Sequence, residues 1–300
     1  MVFDMSRLEG VFVAMITPFI ENIVNRDSIA RIVEYYKLKG LNGALVCGST
    51  GEAHLMRIED IKETIKTTVE FSSEGFKIIA GVLRSDTDTA IEIAKYAEDV
   101  GVNAVLALTP YYYTFSEEEI VSHYSKLRDK LGIPLFLYNA PKFTGNNVPP
   151  RLIVKMLAED IIDGIKDTVW DFSHFAQIVA ENGSLGKEKS LFIGTTQIFF
   201  PSLIVGASGG ILASANYLPE LCMEVYNSFK RGDLKKARER NKLLLKASAA
   251  VEGKLGIRGI KAAMDIRGLP AGSPREPFKP LNEDQYKYVR RVLESVGIKY

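Results

Sequence analysis

Lys166 sits in the run IIDGIKDT, directly after the apolar stretch 161–165. Lysine is a poor strand residue, and an inward lysine at a strand end is withdrawn from water. That withdrawal disfavours the ammonium and leaves an amine able to attack a ketone. On the residues alone, a lysine that snorkels outward or pairs with Asp167 fits equally well. Tyr138 ends the run PLFLYNAP, where its phenol could carry a proton between a nitrogen and a substrate oxygen. A rim tyrosine bonded to backbone is the plainer alternative. In the turn Gly48-Ser49-Thr50-Gly51-Glu52, two glycines flank two hydroxyls, so that N–H and O–H groups can converge on a small anion such as a carboxylate. The turn lacks the GK[ST] ending of a phosphate loop, which argues against a nucleotide. Thr109-Pro110-Tyr111-Tyr112-Tyr113 sets three tyrosines behind a proline, a pattern suited to rim packing or an interface.

Other chemistries lack their residues. Cys47 and Cys222 stand in unrelated contexts and are read as buried, reduced thiols. His54, His123 and His174 are far apart with no i, i+4 pair, so no metal site is expected. His54 follows the hydroxyl turn and is compatible with a pocket or a structural place. A net charge of +1 leaves no basic excess for nucleic acid. No apolar run approaches the ~18 residues of a membrane span. MVFDMSRLEG at the start has no basic segment followed by an apolar core, so no signal peptide is read there and a cytoplasmic location is expected.

The elements that must position these groups follow one repeated theme. Apolar runs at 11–16, 44–47, 77–82, 104–108, 134–138, 161–165, 190–193 and 210–213 alternate with amphipathic stretches at 28–40, 59–72, 87–100, 116–131, 150–159, 172–181, 198–205 and 219–230. The apolar runs are nearly continuous, as parallel strands covered on both faces require. Asp27-Ser28 and Asp86 are candidate helix caps, and Ser116 with Glu119 spells a capping box. Gly40, Gly101, Gly132 and Gly183 are candidate helix ends. With 46% hydrophobic residues the chain can bury a large core, and eight strand–helix units over residues 1–230 predict an α/β fold, a (β/α)8 TIM barrel. Residues 231–300 read as a C-terminal helical extension packed on the barrel, with helices at 234–252, 257–266 and 283–295. The stretch 270–280, rich in proline, reads as a surface connector. In a (β/α)8 barrel, chemistry belongs at the C-terminal ends of the strands, where Lys166, Tyr138 and the hydroxyl turn all fall.

Taken in order, GVFVAMITPF, GSTGE, TPYYY, YNAP, GIKDT and GASGGILASAN resemble the family of dihydrodipicolinate synthase and N-acetylneuraminate lyase, the class I pyruvate-dependent aldolases, along nearly the whole chain. The resemblance implies that Lys166 forms the Schiff base with pyruvate and that Tyr138 is the general acid/base. It implies that Ser49 and Thr50, with Gly48, hold the pyruvate carboxylate, Ser49 also assisting proton transfer. Tyr112 takes the position that in many members reaches into a neighbouring subunit's site, implying a homo-oligomer, commonly a tetramer built from dimers. No cofactor is implied, because the imine is itself the electron sink.

Departures from the family pattern bear on the substrate. Dihydrodipicolinate synthases usually carry an arginine two residues after the proline of the tyrosine motif; here Phe143 stands there, beside Lys142, and a phenyl ring cannot replace a guanidinium clamp. Sialic acid lyases typically show an Asp-Glu pair after the seventh strand and a serine after the eighth, where this chain has Thr195-Thr196-Gln197 and Ala213. The combination most resembles 2-keto-3-deoxygluconate aldolases, with Thr168, Thr196 and Gln197 as candidate partners for polyol hydroxyls and Leu212 and Phe143 beside them. Dihydrodipicolinate synthase is the runner-up, and a non-catalytic sugar-acid sensor a third reading that has no use for Lys166. Lys142, Arg84 and Arg258 are the candidates for a phosphorylated substrate.

Overall fold

The computed structural model describes residues 7–183, 185 and 189–298; the opening residues 1–6 of the segment read for a signal peptide lie outside it. Eight parallel strands close into a barrel: β1 (Gly10–Ala14), β2 (Gly43–Val46), β3 (Lys77–Val82), β4 (Ala104–Leu108), β5 (Leu135–Asn139), β6 (Gly164–Asp167), β7 (Ser190–Ile193) and β8 (Gly209–Leu212). Each strand pairs with the next, and β1 closes the ring by pairing with both β2 and β8. A two-residue hairpin, Phe19–Ile20 with Ile23–Val24, follows β1.

The helices between strands are α1 (Arg26–Leu38), α2 (Ile58–Phe71), α3 (Thr87–Asp99), α4 (Glu117–Arg128), α5 (Pro150–Ala158), α6 (Phe172–Asn182), α7 (Phe199–Val205) and α8 (Pro219–Lys230). Asp86 caps α3 through the Thr89 amide, and Ser116 and Glu119 form the expected capping box on α4. At α1 the cap is Asn25, whose side chain accepts from the Ser28 amide, and not Asp27-Ser28. Gly40 and Gly101 take the left-handed conformation that ends a helix, whereas Gly183 stays right-handed.

Strand period decides what enters the barrel. Phe12, Phe136 and Phe192 point inward and pack ring on ring, with centroids 5.3 Å apart for Phe12–Phe192 and 6.2 Å for Phe136–Phe192. A side chain at Gly164 would meet the Phe136 ring at 3.0 Å, so glycine there admits this aromatic floor. Two residues further along, Ala14, Tyr138, Lys166 and Gly194 face the same interior one layer higher. The sixth strand lies later than its apolar run suggests. Asp163 binds the Arg128 guanidinium and the Leu135 amide, and β6 begins at Gly164, which places Lys166 inside the strand.

The C-terminal extension comprises α9 (Leu234–Ser248), a π-helical turn (Ala249–Gly253), α10 (Lys254–Ile266) and α11 (Glu283–Ser295). The interruption read between 252 and 257 is a wide turn and a kink at Gly256, so the chain bends without leaving the barrel mouth. The segment 270–280 is more than a surface connector: Gly272 bridges to Phe19, and Pro277 and Phe278 line the cavity described below. Arg267 is bound by Glu220 of α8 at 2.7 Å, and Lys39 reaches the same carboxylate at 2.8 Å. Burial pushes the Glu220 carboxyl up, but the bonds to Arg267 and Lys39 outweigh it and hold the group down at about 2. A depressed carboxyl adds stability that is present above its unfolded value and is lost as pH falls towards the folded one. Between about pH 4.5 and 2 the wild type should therefore lose roughly 2 kcal/mol more stability than Glu220→Gln, discounting for partial exposure. Urea unfolding at stepped pH measures this; parallel pH curves would refute the assignment.

Candidate active site

A cavity of about 600 Å³ opens at the C-terminal ends of the strands. Lys166 is 4% exposed, and its Nζ lies 4.3 Å from the centre of the Tyr138 ring. Asp167 does not pair with it. The adjacent strand position faces outward, where Asp167 accepts from Asn139 Nδ2 at 3.1 Å and binds His174 Nδ1 at 3.0 Å. The alternative of a snorkelling or Asp-paired lysine is thereby removed. Gly194 on the neighbouring strand end leaves room for the amine's stem, since a side chain there would meet Lys166 Cε at 2.7 Å and Thr168 Cγ2 at 2.4 Å.

Tyr138 is held from behind by its main chain, its carbonyl accepting from the Thr109 amide at 3.2 Å and hydroxyl at 3.1 Å. Its own hydroxyl faces the cavity, with Ser49 Oγ 3.5 Å away. A hydroxyl pair at that separation is placed to pass a proton once a substrate oxygen draws it together. Ser49 and Thr50 both line the cavity.

The hydroxyl turn is anchored by charge. Glu52, in the left-handed region at φ 62°, is buried, and its Oε1 meets Lys261 Nζ of α10 at 2.6 Å. Glu52 Oε2 accepts from the Arg275 amide at 2.6 Å, while Lys261 also donates to the carbonyls of Thr17 and Ser273 at 2.9 and 2.8 Å. Burial lowers the Lys261 ammonium and Glu52 raises it, with a net lowering. The extension thus ties down the turn that carries Ser49 and Thr50.

Of the remaining expected residues, Phe143, Thr168, Thr196 and Gln197 line the cavity. Leu212 does not: it lies between Ile211 and Ala213, which face inward, so strand alternation turns it outward. Gly48 packs under the turn near Leu45 and is not among the lining residues. Tyr112 is 86% exposed, stacked edge-on with Tyr113 and clear of the cavity of its own chain. Phe143 lies at the mouth, 59% exposed, beside Lys142. Arg84 is spent on the carbonyls of Ala53, Leu83 and Met56, and Arg258 lines a different cavity, which leaves Lys142 of the three candidate phosphate binders. His54 does reach the cavity wall, its ring edge-on to Tyr111, and burial first and Arg84 second disfavour its protonated form and lower its pKa. Cys47 and Cys222 are buried thiols, both pushed up to about 12 by burial.

Sequence reading missed the contributions of the extension: Glu252, Gly253, Gly256, Ile257 and Ile260 all line the cavity. The signal available was a lone acid in an apolar stretch, AAVEGKLGI, interrupted by two glycines. Among the described residues no cluster of three potential metal ligands occurs, and no helix is long and apolar enough to cross a membrane.

A closed parallel barrel with an unpaired, buried lysine beside a tyrosine and a serine at its mouth is the apparatus of an enzyme of the class I aldolase type. The chain belongs to the Dihydrodipicolinate synthetase family, whose sequence profile matches residues 7–296. It is 31% identical over 289 residues to a 4-hydroxy-tetrahydrodipicolinate synthase of Acetivibrio thermocellus, covering 96% of this chain and 97% of the relative. An uncharacterized DapA-like lyase of Pyrobaculum islandicum is 32% identical over 303 residues, covering 97% and 99%. A crystal structure of a dihydrodipicolinate synthase superposes with a TM-score of 0.90 at 30% identity, over 97% of this chain and 99% of that one. The synthase of Thermotoga maritima gives 0.92 at 26% identity, over 97% and 99%.

Two substitutions test the geometry. Tyr138→Phe should keep imine formation on Lys166 and lose turnover by the ~10²–10⁴-fold typical of an acid–base group; wild-type kinetics would remove the phenol from the chemistry. Lys261→Met should strand the Glu52 carboxylate, costing about 3–5 kcal/mol of stability and raising KM for pyruvate more than it lowers kcat. Urea unfolding and steady-state kinetics read both, and an unchanged KM would dissociate the Lys261–Glu52 pair from the hydroxyl turn.

Proposed function

We propose that the enzyme holds pyruvate, or a 4-hydroxy-2-keto acid, as an imine on Lys166 and makes or breaks the bond between C3 and C4. The observation that carries this is the buried Lys166 amine, free of Asp167 and 4.3 Å from the Tyr138 ring. The neutral amine adds to the C2 carbonyl, and the resulting carbinolamine loses water to give an iminium. In cleavage, Tyr138 takes the C4 hydroxyl proton, the C3–C4 bond breaks, and its electron pair passes into the iminium as an enamine. The aldehyde departs, C3 is protonated, and water releases pyruvate and the free amine. Ser49 and Thr50 hold the carboxylate, with Ser49 relaying protons to and from Tyr138. The electron sink is the imine, so the reading requires no metal and no organic cofactor, and dialysis against a chelator should leave the rate unchanged.

The acceptor has two readings. The relatives named as 4-hydroxy-tetrahydrodipicolinate synthases support condensation with aspartate semialdehyde, and this is the reading with the wider support. The second, cleavage of a 2-keto-3-deoxy sugar acid such as 2-keto-3-deoxygluconate, is favoured by one observation. Phe143 stands at the mouth, and among the described residues Lys142 and Lys166 are the only lysines or arginines that line the cavity. We place the enzyme in the cytoplasm as a homotetramer, a dimer of dimers, a proposal supported by the outward stance of Tyr112.

Borohydride reduction in the presence of pyruvate should leave an adduct on the Lys166 peptide, and an adduct elsewhere would falsify the imine assignment. Pyruvate consumption with aspartate semialdehyde, measured beside pyruvate release from 2-keto-3-deoxygluconate, 2-keto-3-deoxygalactonate and sialic acid, then separates the acceptors. Turnover confined to the semialdehyde establishes the synthase reading; turnover confined to the deoxy sugar acids establishes the second.

A further inference from the structure

The chemistry above uses no acid from the extension, yet the extension supplies one. Glu252 lies on the π-helical turn Ala249–Gly253, a local widening of the helix that is common at functional sites. Gly253 lines the cavity beside it, as does Gly256, which kinks the next helix at φ 61°, ψ −146°. Thr196 stands near enough to the carboxyl to draw it downward, and its hydroxyl is 3.0 Å from Ser214 Oγ. Glu252 Oε2 is withdrawn from solvent and has no partner among the described residues. Among the described residues no ion pair reaches the group, and burial pushes it up to about 7 against the lowering effect of Thr196.

Glu252 lines the cavity while its Oε2 is shielded and unpaired among the described residues, and an unpaired buried acceptor asks for a donor. A tail ending in carboxylate or phosphate would meet a second acid, and apart from Lys166 only Lys142, beside Phe143, offers a lysine or arginine among the described lining residues. An apolar tail would leave Oε2 unpaired. A hydroxyl satisfies it in either state, donating to the carboxylate or accepting from the carboxylic acid.

We propose that Glu252 determines acceptor specificity: with Thr196 and Gln197 it binds a hydroxyl of an uncharged hydroxyaldehyde and discriminates against aldehydes that end in carboxylate or phosphate. The inference rests on the Lys166 imine reading. It selects between the two acceptors.

The test compares pyruvate condensation with glyceraldehyde, propanal, glyceraldehyde 3-phosphate and aspartate semialdehyde in wild type, Glu252→Gln and Glu252→Ala. Wild type should favour glyceraldehyde over propanal. In Glu252→Ala, kcat/KM for glyceraldehyde should fall roughly 10–100-fold, chiefly through KM, the scale of one buried hydrogen bond left unmade. Propanal should stay within about 3-fold, and the two anionic aldehydes should gain on glyceraldehyde. Glu252→Gln, which can still bond a hydroxyl, should fall between. Equal losses on all four aldehydes, or a wild-type preference for an anionic one, would overturn the proposal. Borohydride trapping of pyruvate keeps the two levels apart. An adduct on Lys166 without the predicted discrimination sinks the Glu252 inference alone, whereas no adduct in the wild type sinks both.

Discussion

The nucleophile role proposed for Lys166 requires that no carboxylate hold the amine, and its nearest neighbour in sequence is one. Strand alternation resolves the conflict. Successive residues of β6 point to opposite faces, so Lys166 enters the barrel while Asp167 leaves it. On the outer face Asp167 is engaged by Asn139 and by His174. Desolvation raises the cost of ionising His174, but the Asp167 bond outweighs it and the imidazole is shifted upward. The aspartate is thus committed to a structural pair, and the amine is left with the face of the Tyr138 ring for company.

The same alternation builds the site in layers. An aromatic floor of Phe12, Phe136 and Phe192 fills the barrel, and Ala14, Tyr138, Gly194 and, two residues past Gly164 of β6, Lys166 form the layer above it. A slip of one residue in any of these strands would exchange floor for outer surface and send Tyr138 or Lys166 out of the cavity. The paired register of β5, β6 and β7, which sets Tyr138 beside Lys166 and Lys166 beside Phe192, is therefore as much a part of the chemistry as the side chains.

The mouth has a second support that comes from far along the chain. Lys261 and Arg275 of the extension fasten Glu52, and so fix the hydroxyl turn from about two hundred residues away. The extension also contributes the cavity wall around Glu252. Barrel and extension meet in one cavity, lined by Ser49 and Thr50 of the barrel loops on the one hand and by Glu252 of the extension on the other.

The closed barrel, the boundaries of most elements and the trio of Lys166, Tyr138 and Ser49 are legible in the chain itself. Apolar strand runs, cap residues and motif order are local properties, and a parallel barrel places strand ends together whatever the loops do. Which way a strand-end residue faces is not local. Lys166 against Asp167, and Ile211 and Ala213 against Leu212, depend on where the strand begins, and Asp163 sets that for β6 through Arg128 and Leu135. The start of α1 at Asn25 likewise follows from which side chain reaches the Ser28 amide. Glu252 was least legible of all. Its neighbours in sequence are helical and apolar, while its neighbours in space, Thr196 and the cavity lined by Lys166, come from strand ends 56 and 86 positions earlier in the chain. Only the folding of the extension over the mouth turns that acid into part of a site.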